Sequence, residues 1–230
     1  MGSAGLITPS RFQRAYRRAY RWATRRLYRE LAWAYELIAW LVSFGQWDAW
    51  RRQVLEYVAG ERVLEVGFGT GALLSAAARR GLEVWGADPA SAMQTVTTRR
   101  LRRQGLAVPR VQSTAQALPF PSRAFDTVLS TFPAEYILDP QALNEVARVL
   151  REGRSEAPRG RLVLTGIGFR TDDRWLARLL GLVFGGSGED SVNWYARYAT
   201  SHGFTVTVIE DKTQRVRVPV LILEPTSGDA

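Results

Sequence analysis

The stretch Val63-Leu64-Glu65-Val66-Gly67-Phe68-Gly69-Thr70-Gly71 decides the fold of this 230-residue chain. An apolar, β-prone run ends in three glycines spaced two residues apart, and the leucine- and alanine-rich residues 72–78 predict a helix. Such a strand, turn and helix N-terminus bring backbone amides close to a nucleotide-like ligand. The spacing differs from the Gly-x-Gly-x-x-Gly of dinucleotide-binding folds. The alternative is a glycine-rich turn of a Rossmann-like domain that binds no ligand.

After Gly60, strand-like and helix-like stretches alternate, which predicts a doubly wound α/β fold with a mostly parallel sheet. The last two strands are joined by a link too short for a crossover, so they should be antiparallel. Residues 171–190 predict a helix and a flexible loop that covers the site. The predicted strands lie near residues 62–66, 82–87, 108–112, 125–130, 160–166, 203–210 and 216–223, and the predicted helices near 71–80, 90–104, 140–151 and 191–202.

Composition excludes several kinds of chemistry. The chain has no cysteine and one histidine, His202, so disulfides, cysteine nucleophiles and a zinc site are not expected, and we predict no metal. The missing thiols fit a cytoplasmic protein, and no signal peptide is predicted. The longest apolar run, 37–44, is far shorter than the ~20 residues that span a bilayer.

Residues 1–58 form an arginine- and aromatic-rich segment, and residues 59–230 form the predicted catalytic domain. The net charge is +9, and eight arginines fall between residues 11 and 30, on a helical pattern from Ser10 to about Leu41. A second helix is predicted from Trp47 to Val58. Arginine, tryptophan and tyrosine together favour an anionic membrane surface, on the inner face of the membrane. A helix packed on the domain and an RNA-binding helix are the alternatives.

The Glu-x-Gly-x-Gly-x-Gly pattern of residues 65–71 resembles the first motif of class I S-adenosylmethionine-dependent methyltransferases. The resemblance implies a seven-stranded sheet with an antiparallel last strand, and S-adenosylmethionine as cofactor. It places the three glycines along the cofactor and Glu65 near its amino acid end. Asp88 ends the second strand, where an acid about 20 residues after the turn grips a ribose. Capping the following helix is the alternative role of Asp88.

The resemblance extends to about residue 170. Met93 falls where this class packs an apolar side chain on adenine, although a core methionine is the alternative. Ala115-Gln116-Ala117-Leu118-Pro119-Phe120-Pro121 and Phe125-Asp126-Thr127-Val128-Leu129-Ser130 resemble the third and fourth motifs. Thr114 replaces the acid that commonly meets the adenine amine. These motifs also place Pro89, Ala115 and Ser130 beside the cofactor.

Three upstream phrases resemble the segment that precedes the domain in ubiquinone/menaquinone C-methyltransferases: Tyr35-Glu36-Leu37, Ser43-Phe44-Gly45 and Trp50-Arg51-Arg52. The resemblance implies a lipophilic acceptor, either quinol-like or a phospholipid. RNA or soluble acceptors and a non-catalytic adaptor are the alternatives. No motif fixes a catalytic base. The candidates are Tyr35, Glu135, Tyr136 and Asp139, while His202 is expected to be a cation at a helix C-terminus.

Overall fold

A single seven-stranded sheet organises the computed structural model, which describes residues 43, 45–133, 135–153, 159–178, 189–211 and 216–226. The strands are β1 (Arg62–Val66), β2 (Glu83–Ala87), β3 (Arg110–Val111), β4 (Thr127–Thr131), β5 (Arg161–Thr165), β6 (Phe204–Ile209) and β7 (Val220–Pro225). Their order is β3-β2-β1-β4-β5-β7-β6. β7 pairs antiparallel with β5 and β6, and the remaining pairs are parallel. The predicted sheet, with its antiparallel last strand, is confirmed.

Helices connect and cover the strands. They are α1 (Trp47–Arg52), α2 (Ala72–Arg79), α3 (Ser91–Arg103), α4 (Pro140–Val149) and α5 (Glu189–Ser201), with 3₁₀ turns at Gln53–Tyr57 and Glu135–Leu138. Residues 174–178 are also helical. None of the helices in the described part of the chain is long and apolar enough to cross a membrane.

The side chains of β1 divide the core into two layers, because successive residues of a strand point to opposite faces. Leu64 and Val66 lie in one buried cluster with residues of β4, α4 and β5. Val63 lies in the other cluster, together with Phe68, α2 residues and the buried Val54 and Leu55. Residues 54 and 55 therefore contribute to the same core as the sheet. The division of the chain at residue 58 stays a prediction.

The chain reverses its order in the sheet between β1 and β4. The chain runs from β1 outward through β2 to β3, then returns to place β4 on the other side of β1. A crevice forms where crossover connections leave in opposite directions, at the carboxyl ends of the two strands, and ligands of open α/β sheets bind there. The glycine turn follows β1 and Phe132 follows β4, so both lie at this crevice.

Two predicted element boundaries are wrong, and prolines explain both. The third strand was expected over 108–112 but contains only Arg110–Val111, immediately after Pro109. The last strand was expected from residue 216 but starts at Val220, immediately after Pro219. Proline has no N–H to donate to a neighbouring strand, so each ladder begins beyond it.

The predicted helix from Trp47 to Val58 also ends early. α1 stops at Arg52, and a 3₁₀ turn follows. In that turn the Gln53 amide donates to the Thr165 hydroxyl at 2.8 Å and to the Val218 carbonyl at 2.9 Å, which ties it to the end of β5. The helix predicted from Ser10 to Leu41 lies outside the described residues, as does most of the predicted covering loop.

Candidate functional site

The glycine turn after β1 is closely packed on two sides and open in the middle. Gly67, Gly69 and Gly71 have φ angles of +77°, +51° and +73°. A Cβ at Gly67 would overlap the Tyr136 hydroxyl, and one at Gly71 would overlap the side chain of Thr97. At Gly69, by contrast, nothing lies within 4 Å of that position. The turn is therefore held by neighbours at its ends, while its centre leaves space for a ligand.

Asp88 ties this turn to the end of β2. Its carboxylate accepts hydrogen bonds from the backbone N–H of Gly69 at 2.9 Å and of Ala90 at 2.8 Å. Asp88 is 6% exposed, and burial raises the pKa of its carboxyl, an effect that the two hydrogen bonds oppose. The N-cap position of α3 is Ala90 and not Asp88, and the helix has no side-chain cap hydrogen bond. Asp88 therefore lies beside the open centre of the turn, and its grip on a ribose stays a prediction.

Glu65 places a second acid under the turn. Its side chain is 3% exposed, and Oε2 has no hydrogen-bond partner among the described residues. Burial raises the pKa of this carboxyl to about 8, with a further upward contribution from Asp88. The charge of Arg51 and a hydrogen bond from the Leu74 backbone pull the pKa downward. An unsatisfied buried oxygen is costly unless a ligand completes its bonding.

The loops after β2 and β3 are joined next to Asp88. Gln94 donates its amide to the carbonyls of Asp88 and Val111, at 3.3 and 3.0 Å, and Gln112 donates to the Pro89 carbonyl at 3.1 Å. Thr114 is exposed at this edge, whereas Ala115 is buried. The side chain of Met93 is only 1% exposed and lies in a core cluster, as expected of a core methionine, and its contact with an adenine stays a prediction.

Ser130 joins the two strands at the crevice. Its hydroxyl is buried and donates to the carbonyl of Val66 at 2.8 Å, which links the end of β4 to the end of β1. The hydroxyl proton is thus used inside the protein. A contact of Ser130 with a cofactor stays a prediction.

Of the candidate bases, Tyr136 reaches the crevice. Its hydroxyl lies against Gly67, at the carboxyl end of β1. Asp139 is the N-cap of α4 and accepts the N–H of Gln141 at 2.9 Å. Tyr35 and the Glu135 side chain lie outside the described residues. His202 directly follows the last residue of α5, and its Nδ1 lies 2.8 Å from the Tyr198 carbonyl oxygen. In the sequence it is far from the glycine turn.

An aromatic cluster lies beyond the carboxyl ends of β4 and β5. Trp47 stacks on Phe132 with ring centroids 3.8 Å apart, and Phe132 is 6.2 Å from Phe169. Trp50 meets Phe169 edge-on at 5.6 Å. Phe132 has a φ of +48°, an uncommon conformation for a bulky residue, and its N–H donates to the Thr165 carbonyl at 2.8 Å. The fold thus holds the backbone of Phe132 in a strained conformation, which places its aromatic ring beside the crevice.

Comparison with known proteins identifies the domain that carries this site. Residues 63–153 match the family model described as a methyltransferase domain. The chain carries a methyltransferase domain. The predicted resemblance to S-adenosylmethionine-dependent methyltransferases is confirmed, and with it the cofactor expected of such a domain.

One curated relative is the demethylmenaquinone methyltransferase of Thermus thermophilus, which is 38% identical over 144 residues, 60% of this chain and 63% of that protein. The chain thus spans less than two thirds of that relative's length. Among solved structures, an S-adenosylmethionine-dependent methyltransferase from Aquifex aeolicus superposes with a TM-score of 0.59 at 18% identity, covering 78% of this chain and 92% of that one. The [4+2]-cyclase SpnF gives a TM-score of 0.60 at 19% identity, covering 79% and 81%. These structural likenesses concern the fold.

The residues of the methyltransferase domain fit S-adenosylmethionine. The space over Gly69 admits a ligand next to the backbone, and Asp88 lies at its edge. The unpartnered Oε2 of Glu65 would be satisfied by the cationic amino acid end of the cofactor. These observations agree with the predicted roles of the three residues, which stay predictions.

Two polar residues of the methyltransferase domain and its flank were not among the predicted site residues. Arg51 contributes a positive charge to the surroundings of Glu65, and only the upstream phrase Trp50-Arg51-Arg52 singled it out. Ser113, next to Thr114, has a buried Oγ without a partner among the described residues. No sequence signal marks Ser113, because a serine before a small residue occurs in many loops.

Proposed function

We propose that this protein transfers the methyl group of S-adenosylmethionine to a lipophilic acceptor with a quinol-like aromatic ring. The observation that carries the proposal is the stacked pair Trp47 and Phe132 beside the crevice. Phe132 is half-buried beside the crevice and the buried ring of Trp47 supports it from behind, so the exposed part of Phe132 can contact a planar ring. The printed name of the Thermus relative, a demethylmenaquinone methyltransferase, supports the same class of acceptor.

The chain's contribution is to bind and orient the two reactants. When bound, S-adenosylmethionine would supply a methyl group on a sulfonium centre that is already electrophilic. The glycine turn would hold it against backbone, with Asp88 at the ribose and Glu65 at the amino acid end. The half-buried Phe132 would contact the acceptor ring, and the buried Trp47 would hold Phe132 in place. Such alignment supplies much of the rate in a transfer of this kind.

Tyr136 is the described residue best placed to act on the acceptor. Its hydroxyl lies at the carboxyl end of β1, where the glycine turn meets the segment that follows β4. In the proposed complex this hydroxyl would hydrogen-bond the quinol oxygen and orient the ring. Tyr136→Phe keeps the ring and removes the hydroxyl. It should therefore lower turnover while leaving cofactor affinity unchanged.

The test is a direct transfer assay. Purified protein is incubated with isotopically labelled S-adenosylmethionine and either a demethylated naphthoquinol with an isoprenoid tail, phosphatidylethanolamine or RNA, and labelled product is identified by mass spectrometry. Labelled naphthoquinol supports the proposal. Labelled phospholipid or RNA would identify that molecule, and not a quinol, as the acceptor. Cofactor binding without any labelled product would favour an adaptor or another chemistry, since SpnF shares this fold under the name of a cyclase.

Because the proposed acceptor is lipophilic, we expect the protein to act at a membrane surface. We propose that residues 11–30 contact that surface. The eight arginines of this segment are interleaved with tyrosine and tryptophan. Each basic residue near an anionic bilayer contributes about 1 kcal/mol. Changing Arg18, Arg21 and Arg25 to Gln should strongly reduce co-sedimentation with phosphatidylglycerol vesicles. Unchanged co-sedimentation would show that these arginines do not bind the membrane.

A further inference from the structure

A basic groove lies between α1, α2 and α3, and neither Gly69 nor Asp88 is among the residues that line it. Its volume is about 560 Å³, within the range of small-molecule sites. Five arginines line it: Arg51, Arg52, Arg79, Arg80 and Arg100. The remaining lining side chains include one carboxylate, that of Asp48.

Among the residues that the structure describes, the acids near the groove only partly offset this charge. Asp48 pairs with Arg51 at 3.1 Å and with Arg52 at 2.6 Å. Glu56 pairs with Arg80 at 2.7 Å. Arg79 forms no salt bridge with any residue that the structure describes. The groove therefore retains positive charge, in the form of guanidinium groups suited to bidentate contacts with phosphate oxygens.

Helix dipoles give a simpler account of part of this pattern. Arg51, Arg79 and Arg100 stand in the last turns of three different helices, where a cation is stabilised by the negative end of the helix. This explains an arginine at each helix end. The helix dipoles do not explain why the arginines of three helix ends line one cavity. Among the described residues, that cavity is lined by a single carboxylate.

We propose that this groove is a binding site for a phosphate ester. The ligand chemistry is one phosphate group, held by guanidinium groups from three helices. A lipid headgroup and a soluble phosphate both carry it. The site does not rest on methyl transfer, because its proposed ligand contacts are the arginines; Trp47, which also lies beside the crevice, forms part of the groove wall.

The experiment measures anion binding directly on the full chain. Calorimetry with sn-glycerol 3-phosphate tests the soluble source, and co-sedimentation with phosphatidylglycerol against phosphatidylcholine vesicles tests the lipid source. The double variant Arg79→Gln/Arg100→Gln removes two groove charges. Its matched control, Arg99→Gln/Arg102→Gln, removes two exposed charges from α3 that do not line the groove.

The groove variant should lose roughly tenfold or more in phosphate affinity, and the control less than about twofold. Binding of glycerol phosphate that the groove variant loses identifies a soluble-ester site. Vesicle binding that the groove variant loses and the control keeps, without binding of glycerol phosphate, identifies a headgroup site. The proposal is overturned if the unmodified protein binds neither glycerol phosphate nor anionic vesicles. It is also overturned if the groove variant and the control lose the same affinity. If the groove variant does not fold, Arg52→Gln, which changes one exposed arginine, provides the same comparison. Methyl transfer can succeed or fail independently of every outcome.

Discussion

The two sides of the crevice are built by different means. The cofactor side uses a continuous stretch, residues 65–71, with Asp88 shortly after it, and its polar contacts involve backbone and two buried carboxyls. The proposed acceptor side gathers Trp47, Phe132 and Phe169 from three distant parts of the chain, and its contacts are between rings. A cationic cofactor needs acids in fixed places, whereas an apolar ring needs only a shaped surface. Changes on one side should therefore affect one binding step.

The largest effect should come from the acceptor side. Trp47→Ala removes a 4% exposed ring and its stack on Phe132, and should cost about 3–5 kcal/mol of unfolding free energy. In molecules that remain folded, cofactor affinity should be kept and acceptor binding lost. Denaturant unfolding and calorimetry measure the two. Trp175→Ala, at a 64% exposed tryptophan, is the control and should change neither. A parallel loss of cofactor affinity in Trp47→Ala would contradict the separation.

Asp88→Ala should act on the other side alone. It removes the acceptor of two backbone hydrogen bonds and the proposed partner of the ribose, so cofactor affinity should fall by about 100-fold, or ~3 kcal/mol. Asp126 is a matched control, because it accepts two backbone N–H groups, those of Glu61 and Arg62, at the amino ends of β1 and β4 and so at the opposite end of these strands. Asp126→Ala should lower stability and leave cofactor affinity intact. If Asp88→Ala and Asp126→Ala bound the cofactor with equal affinity, the proposed contact of Asp88 with the ribose would be wrong.

Gly69→Ala tests the open centre of the turn. Gly69 and Gly81 both have positive φ, +51° and +82°, and nothing lies within 4 Å of a Cβ at either position. Each substitution should cost about 1–2 kcal/mol of stability through backbone strain. Only Gly69→Ala should weaken the cofactor, by about tenfold, because its methyl group enters the proposed ligand space. Thermal melts and calorimetry give both values. If the two variants bound the cofactor equally well, the ligand would not lie over Gly69.

The last comparison concerns pH and needs no change of side chain. The pKa of Glu65 is about 8 in the folded protein against a reference of 4.5, so its contribution to stability is present below about pH 4.5 and is lost as the pH rises to about 8. A cation at Oε2 favours the ionised form. Cofactor affinity should therefore rise with pH up to about 8, by at most about tenfold per unit.

Glu65→Gln should abolish this dependence of affinity on pH and raise the stability of the free protein at pH 8. Calorimetry across pH 6 to 9, with melts of the ligand-free protein, measures both changes. Glu83→Gln, at an exposed residue of β2, is the control. A pH dependence that survives in Glu65→Gln would assign the titration to another group.

The sequence by itself determined the sheet and the cofactor side. Strand–turn–helix order and the short link before the last strand follow from local patterns, and the glycine spacing and Asp88 mark the turn without help from distant residues. It also contains Pro109 and Pro219, which shorten the third and last strands.

Only the tertiary structure decided the acceptor side and the basic groove. Trp47 and Phe132 are 85 positions apart in the sequence, and the strained φ of Phe132 follows from packing at the end of β4. The arginines of the groove belong to three helices, and each alone resembles an ordinary residue of a helix end. The burial that raises the pKa of Glu65 is likewise a property of the assembled core. Local motifs encode backbone conformation, but burial and long-range contact exist only once the chain has folded.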